Sequence, residues 1–147
     1  MQAVIEYYKT LGKVYTDALE DMLVFDAVIA NIDRLFGNFG FLVDSKVNTL
    51  AGPAPLFDHG NSLFNYVSQM EVESKQALLE FAEAQRPVCY NDFFSAAISC
   101  LKPRHREGLL HLLEFKLKRH PRYNLEPKRL KLIETAIRQR AARLLEG

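Results

Sequence analysis

The feature that most constrains the fold is an apolar helical segment that runs from Asp17 to Ile32. Its apolar side chains recur at helical spacings and cover most sides of the predicted helix: Leu19, Met22, Leu23, Phe25, Val28, Ile29 and Ile32. A helix that is apolar on most sides must be enclosed by other elements, so we expect it at the centre of the core. Asp17 and Glu20 predict its start, as an N-cap residue with a capping-box partner.

A polar loop and a short β-hairpin are predicted directly after this helix. Residues 39–43 suit a first strand, residues 44–53 are rich in turn formers, and residues 55–57 would form the return strand. Such a hairpin would bring Asp58 back beside Asn38. We therefore expect the loop and the hairpin to gather polar side chains at one end of the central helix.

Three of these polar residues follow the order of a phosphoryl-transfer site. Protein kinases place a catalytic-loop Asp five residues before a metal-binding Asn, and then a second metal-binding Asp followed at +2 by Gly. Here that order is Asp33, Asn38 and the run Asp58-His59-Gly60. Magnesium takes oxygen ligands, so a carboxylate and an amide suit it. The pattern predicts Asp33 as the catalytic base, and Asn38 and Asp58 as magnesium ligands that hold the nucleotide phosphates.

Each of these residues also has an ordinary structural interpretation. Asp and Asn close to Gly are common in turns, and Gly37 and Gly40 flank Asn38. His59 would contact a phosphate or substrate, support a neighbouring ligand residue without touching the substrate, or simply belong to the turn. The ordered combination of apolar helix, loop, hairpin and Asp-x-Gly favours one site over a set of separate turns.

The same residues carry a resemblance to a known family. The runs FDAVIANIDR at 25–34, GNFG at 37–40 and APLFDHGNSL at 54–63 closely resemble the C-terminal lobe of HipA-like serine/threonine kinases, the toxins of bacterial toxin-antitoxin systems. The specific part of the resemblance covers about residues 15–66. The Asp-Arg-x-x-x-Asn arrangement is also similar to that of lipid-kinase-like enzymes.

The resemblance implies a fold, cofactors and partners. The fold would be a mainly α, protein-kinase-like C-lobe, with residues 1–147 as one domain. The cofactors would be ATP and Mg²⁺, with Asp33 as the base and Asn38 and Asp58 as the metal ligands. The substrate would be a protein hydroxyl, on an aminoacyl-tRNA synthetase in characterised relatives, and an antitoxin or an N-lobe would be the partner.

Two departures from the family pattern bear on activity. The family usually shows Asp-Arg-His at the catalytic loop, whereas Leu35 follows Arg34 here, so a polar group that would orient a phosphate is replaced. The residues before Asp33 contain neither a Gly-rich phosphate loop nor a strand with an ATP-contacting Lys, so we expect the N-lobe to be missing. The chain is then a fragment, half of a split kinase, or a remnant that no longer catalyses.

The rest of the sequence predicts further helices. Four segments show helical spacing or helix-start signals: residues 1–11, residues 72–83, residues from 91 or 92 to 100, and residues 103–121. In the last of these, Pro103 favours the first turn of the helix and Pro121 ends it. A final helix is predicted to begin near Glu126 and Pro127. Its apolar stripe, which would face the core, consists of Leu130, Ile133, Ile137, Ala141 and Leu144.

Charge is divided unevenly along the chain. Residues 1–101 hold six Lys or Arg against thirteen Asp or Glu, and residues 102–147 hold thirteen against five. Ten basic residues would form a patch: Lys116, Lys118, Arg119, Arg122, Lys128, Arg129, Lys131, Arg138, Arg140 and Arg143. Such a patch would attract nucleic acid or an acidic partner, and would make the chain a non-catalytic interaction module. The ordinary alternative is a solvated helix face.

Composition sets the broad class of protein. With 147 residues and 48% hydrophobic side chains, the chain is long enough for one core and too short for two ordinary domains. No apolar run approaches the ~20 residues that span a bilayer, and no signal peptide is evident, so we expect a cytoplasmic protein without membrane contact. Cys89 and Cys100 are predicted to be ordinary buried thiols.

Overall fold

The computed structural model describes residues 1–65, 67, 80, 81 and 83–147. Over these residues the chain is mainly helical with one two-stranded antiparallel hairpin, as predicted. The elements are α1 (Gln2–Leu11), α2 (Lys13–Ile29), β1 (Phe41–Asp44), β2 (Thr49–Pro53), α3 (Phe93–Ile98), α4 (Pro103–Leu112) and α5 (Pro127–Glu146). Most of the helix predicted for residues 72–83 lies outside the described residues. No helix in the described ranges is long and apolar enough to span a membrane.

Helix α2 is the buried central helix that the sequence predicts. Met22, Leu23 and Ala27 are almost fully buried, and the helix packs against α1, α3 and α5. Its predicted start was wrong, because α2 begins at Lys13 after Gly12, and Asp17 lies within the helix where it pairs with lysines. The helix ends at Ile29, since the next residue adopts a left-handed conformation, so the predicted end at residue 32 was also wrong.

The hairpin forms in the predicted region, but its second strand is made of other residues than predicted. Phe41 pairs with Pro53, and Asp44 pairs with Thr49. The return strand predicted at residues 55–57 was wrong, because β2 occupies residues 49–53 and ends at a proline, which has no N–H to donate to the ladder. Phe41 packs the hairpin against α1, because its ring centroid lies 4.9 Å from that of Tyr8.

The C-terminal helices begin as predicted, but α3 ends at Ile98, before the predicted residue 100, and α4 also ends early. The Asp92 side chain caps α3 by accepting a hydrogen bond from the Ser95 backbone N–H at 2.7 Å. Helix α4 starts at Pro103 but ends at Leu112 rather than near Pro121. The five residues predicted to face inward from α5 are buried. The main core cluster collects side chains from α1, α2, α3 and α5, and so unites the two ends of the chain.

A second, smaller cluster lies beside the loop that follows α2. It consists of Ala30, Phe64, Val67, Leu132 and Ala136. The Arg129 guanidinium of α5 donates hydrogen bonds of 2.7 Å to the carbonyl oxygens of Phe64 and Val67. The segment after Asp58 is therefore anchored to α5, which limits how far this loop can move from the end of α2.

Candidate active site

The centre of the site is a fully buried ion pair between Arg34 and Asp26. Both side chains have no exposed surface. The Arg34 Nε and Nη2 atoms donate to the two carboxylate oxygens of Asp26 at 2.8 and 2.9 Å. Burial disfavours the charged guanidinium and is the largest single effect, but the hydrogen bonds to Asp26 and the attraction of nearby acidic groups together outweigh it and raise the pKa of Arg34 above its ordinary value. A buried charge requires such a partner, so α2 fixes the position of Arg34.

The other side of Arg34 joins two separate stretches of backbone. Its Nη1 atom donates to the carbonyl oxygens of Asn38 and Phe57, each at 2.8 Å. Because both oxygens lie at that distance from one nitrogen, they cannot be further apart than twice that distance. Arg34 therefore holds the loop that contains Asn38 against the residue that precedes Asp58.

His59 completes the contacts of this guanidinium. Its Nδ1 atom lies 3.1 Å from Arg34 Nη2, and its ring packs edge-on against Phe25 with 5.2 Å between centroids. A guanidinium can only donate, so Nδ1 accepts this hydrogen bond and the ring proton is assigned to Nε2. His59 thus contacts the arginine that joins the two loops, rather than standing alone in a turn.

Asp33 is held by amide side chains from both loops. The Asn38 amide nitrogen donates to the Asp33 carbonyl oxygen at 3.1 Å. The Asn61 amide nitrogen donates to the carboxylate Oδ2 of Asp33 at 2.8 Å. Asn61 follows Asp58 by three residues, so the segment that carries the predicted metal ligand also orients the predicted base.

Asp58 is exposed and has a left-handed backbone with φ of 57°. Its carbonyl oxygen lies 3.5 Å from the amide nitrogen of Asn31, which also donates to Asp26 at 3.2 Å. Three further non-glycine residues near the site, Ala30, Leu63 and Phe64, share the left-handed conformation. Backbone conformations of this kind persist when surrounding contacts hold them, and they are common at functional sites.

The three predicted site residues therefore belong to one hydrogen-bonded unit, although the return strand lies elsewhere than predicted. Four further residues build this unit and have no role predicted from the sequence: Asp26, Asn31, Arg34 and Asn61. One signal was present, because Asp26 is an acidic residue inside an otherwise apolar run of α2. A buried carboxylate needs a charged partner, and an arginine follows shortly after the helix.

The donor set at the predicted metal site is small. Across the described ranges, no group of three or more His, Cys, Asp or Glu side chains is arranged to hold a metal ion. The predicted site offers one carboxylate, Asp58, and the Asn38 amide, whose nitrogen is turned to the Asp33 carbonyl. Both side chains supply the hard oxygen atoms that suit magnesium, which would draw its other ligands from phosphate and water.

The predicted basic patch is smaller than the sequence suggests. Arg140 is buried, donates to the Ala27 carbonyl oxygen and lies over the Phe94 ring, so its inclusion in a surface patch was wrong. Burial lowers the pKa of Arg140 to about 10. Arg129 and Arg138 bind backbone carbonyl oxygens, and Arg143 pairs with Glu83. Arg143 is also exposed, but its pairing with Glu83 sets it apart from six other exposed residues of the patch: Lys116, Lys118, Arg119, Arg122, Lys128 and Lys131.

The cysteines are free, half-buried thiols. Cys100 donates to the Ala96 carbonyl oxygen at 3.4 Å, and burial raises the pKa of its thiol to about 11. At neutral pH this group is a protonated thiol and a poor nucleophile.

Comparison with known proteins adds no further constraint. No family model, no curated protein sequence and no solved structure matches the chain.

Proposed function

We propose that the chain is the C-terminal catalytic lobe of a HipA-like serine/threonine kinase, which transfers the γ-phosphoryl group of ATP to a protein hydroxyl when an N-lobe completes it. The observation that carries this proposal is the double hydrogen bond from Arg34 to the Asn38 and Phe57 carbonyl oxygens. It joins the two loops whose side chains a phosphoryl-transfer site requires.

Each polar residue has a role in this proposal. Asp33 accepts the proton of the attacking hydroxyl through one carboxylate oxygen while Asn61 fixes the other. Asn38 and Asp58 hold Mg²⁺, which neutralises charge on the phosphates when bound. Arg34 and Asp26 position both loops without contact to the substrate.

The biological setting of the proposal rests on the resemblance alone. It places the chain in the cytoplasm as part of a toxin-antitoxin pair, with an aminoacyl-tRNA synthetase as the protein substrate and an antitoxin or N-lobe as the partner. Leu35 is 42% exposed at the loop surface, so it leaves the buried ion pair intact and removes only the polar side chain that the family pattern has there.

Magnesium-nucleotide binding tests the proposal directly. Isothermal titration of Mg²⁺ with ADP into the chain should show saturable binding that is lost in Asp58→Asn. Asparagine tolerates the left-handed backbone of residue 58, so this substitution removes the charge without adding strain. Asp33→Asn should keep binding, because the proposal gives Asp33 a role in proton transfer and none in holding the metal.

A charge-matched control separates the site from the general charge of the protein. Asp44→Asn removes one carboxylate from the hairpin turn, where Asp44 accepts a hydrogen bond from the Lys46 backbone, and should leave binding unchanged. Equal binding by the wild type and Asp58→Asn would remove the metal site from this chain. No saturable binding by the wild type would favour the alternative function, a non-catalytic interaction module.

The alternative function is a non-catalytic interaction module that binds nucleic acid or an acidic partner. The six exposed basic residues that remain between Lys116 and Lys131 favour it. Electrostatic binding of this kind weakens steeply with salt, so a duplex oligonucleotide titrated at two ionic strengths measures it. Asp33→Asn would leave such binding intact.

A further inference from the structure

An apolar groove that is open to solvent lies between α2 and α4. Its volume is about 470 Å³, which falls in the range of ~300–1,000 Å³ usual for ligand sites. Its walls come mainly from α2, from α4 and from the segment after α4, while Leu63 and Ile137 contribute from elsewhere. The lining includes these side chains: Val24, Val28, Leu109, Leu112, Phe115 and Leu117. The floor is therefore suited to aliphatic or aromatic side chains of another molecule.

Charged side chains of α2 and α4 lie at one end of the groove and pair with one another. Asp21 of α2 accepts hydrogen bonds of 2.6 Å from Arg104 and from His105 of α4. Lys102 pairs with Asp17 and Glu20 just beyond them. These contacts hold α2 and α4 together at this end, and they leave little unbalanced charge there to attract a ligand.

The segment after α4, which borders the groove through Phe115 and Leu117 and forms its rim, is rich in basic residues. In the segment after α4, Phe115 and Leu117 are half-buried and line the groove, whereas Lys116 and Lys118 are exposed. Arg138 donates to the Phe115 carbonyl oxygen at 2.6 Å, and Glu134 accepts from the Leu117 N–H at 3.0 Å. Because α5 fixes this backbone at two points, the alternation of apolar and lysine side chains is fixed as well.

The length of the groove and the charge of the segment that borders it favour one kind of occupant. The α4 wall runs from Arg104 to Leu112, which is about 12 Å at a rise of ~1.5 Å per residue. Three apolar anchors at positions i, i+4 and i+7 of a helix span ~10 Å, so one amphipathic helix fits this length. Carboxylates beside its apolar stripe would meet Lys116, Lys118 and Arg119.

We propose that this groove binds an acidic amphipathic helix of a partner protein. The proposal is independent of phosphoryl transfer, because none of its contacts uses Asp33, Asn38 or Asp58. A nucleic acid would be attracted by the same lysines, but it would leave the apolar floor exposed. The helix-in-groove mode uses both the floor and the rim.

Gly108 provides a sharp test, because it lines the groove and a Cβ atom added there meets nothing within 4 Å. The probe is a fluorescein-labelled helical peptide with leucine at i, i+4 and i+7 and glutamate on both flanks, measured by fluorescence anisotropy. We expect saturable binding to the full chain that falls by roughly tenfold or more in Gly108→Phe, whose ring fills the groove. Gly108→Ala is the matched control and should bind the peptide like the wild type.

Two further comparisons test the chemistry of the partner. Paired Lys116→Glu and Lys118→Glu substitutions should weaken binding of the glutamate peptide and strengthen binding of a lysine-flanked version of it. Circular dichroism confirms that each variant is folded. The proposal is overturned if the wild type does not bind the glutamate peptide, if Gly108→Phe binds it equally well, or if the lysine peptide binds as tightly to the wild type. It is also overturned if sedimentation shows that a second copy of the chain fills the groove.

Discussion

At the residue scale, Arg34 and Asp26 explain why a polar loop can follow an apolar helix at a fixed position. Asp26 lies in α2 with no exposed surface, and its only charged hydrogen-bond partner among the described residues is Arg34. Removing one member of a buried pair leaves the other charge without compensation, and this effect outweighs the loss of any exposed ion pair. The stability of the site therefore depends strongly on two residues that would not touch a substrate.

We expect Asp26→Asn to lower the free energy of unfolding by about 3–5 kcal/mol, because it leaves the buried Arg34 charge unpaired. Urea titration followed by circular dichroism measures the change. Asp44→Asn, which removes an exposed carboxylate, should change stability by less than about 0.5 kcal/mol. Similar small effects for both variants would contradict the central position given to the buried pair.

At the element scale, the sequence predicts helix identity better than helix ends. The inward stripe of α5 and the Asp92 cap are local patterns, and both are confirmed. The end of α4 depends on tertiary contacts, because Glu134 and Arg138 of α5 bind the backbone of residues 115–117 outside any helix. The same limit applies to the candidate site. The order of Asp33, Asn38 and Asp58 is a local pattern, whereas the contacts by which Arg34 joins their loops depend on residues distant in sequence.

The junction of α2 and α4 predicts a pH dependence of stability. Hydrogen bonds from Lys102 and Lys13 hold the pKa of Asp17 well below its ordinary value. A carboxylate with a lowered pKa in the folded state stabilises the fold above its unfolded pKa of ~3.9, and this contribution is lost as the pH falls below that value. The melting temperature of the wild type should therefore exceed that of Asp17→Asn near neutral pH, and the difference should shrink below about pH 4.

Thermal melts at several pH values measure this difference. Lys46→Met is a suitable control, because it changes one exposed charge in the hairpin turn and should give a pH profile parallel to that of the wild type. A constant gap between Asp17→Asn and the wild type from pH 6 to pH 3 would show that the contacts of Asp17 do not depend on its charge.

At the scale of the whole molecule, one core unites distant parts of the chain. The main cluster contains Tyr8 of α1 and Leu144 in the last turn of α5, with α2 between them. Elements that share a core are expected to unfold together, so we expect one cooperative transition, and the single domain expected from chain length stays a prediction. The core also surrounds the helix that carries Asp26, so the geometry of the site depends on packing far from its polar residues.

Leu144→Ala should lower the free energy of unfolding by about 2–5 kcal/mol, because it opens a cavity in this shared core. Far-UV circular dichroism and tyrosine fluorescence should report the same transition midpoint in the wild type and the variant. Leu110→Ala, at a side chain that is 57% exposed, is the matched control and should have little effect. Two separated transitions would indicate that the ends of the chain unfold independently.

The left-handed residues around the site have a consequence for local opening. Ala30, Leu63 and Phe64 adopt a backbone conformation that costs roughly 1–2 kcal/mol for each residue with a side chain. Opening the two loops would release this free energy while the helices stay closed, so amide hydrogen exchange should be faster here than within α2. The backbone N–H groups of Ile32 and Leu63 donate to the carbonyl oxygens of Asn61 and Ile29. These amides would exchange when the loops open, at a rate set by how tightly the hydrogen bonds of Arg34 hold the two loops together.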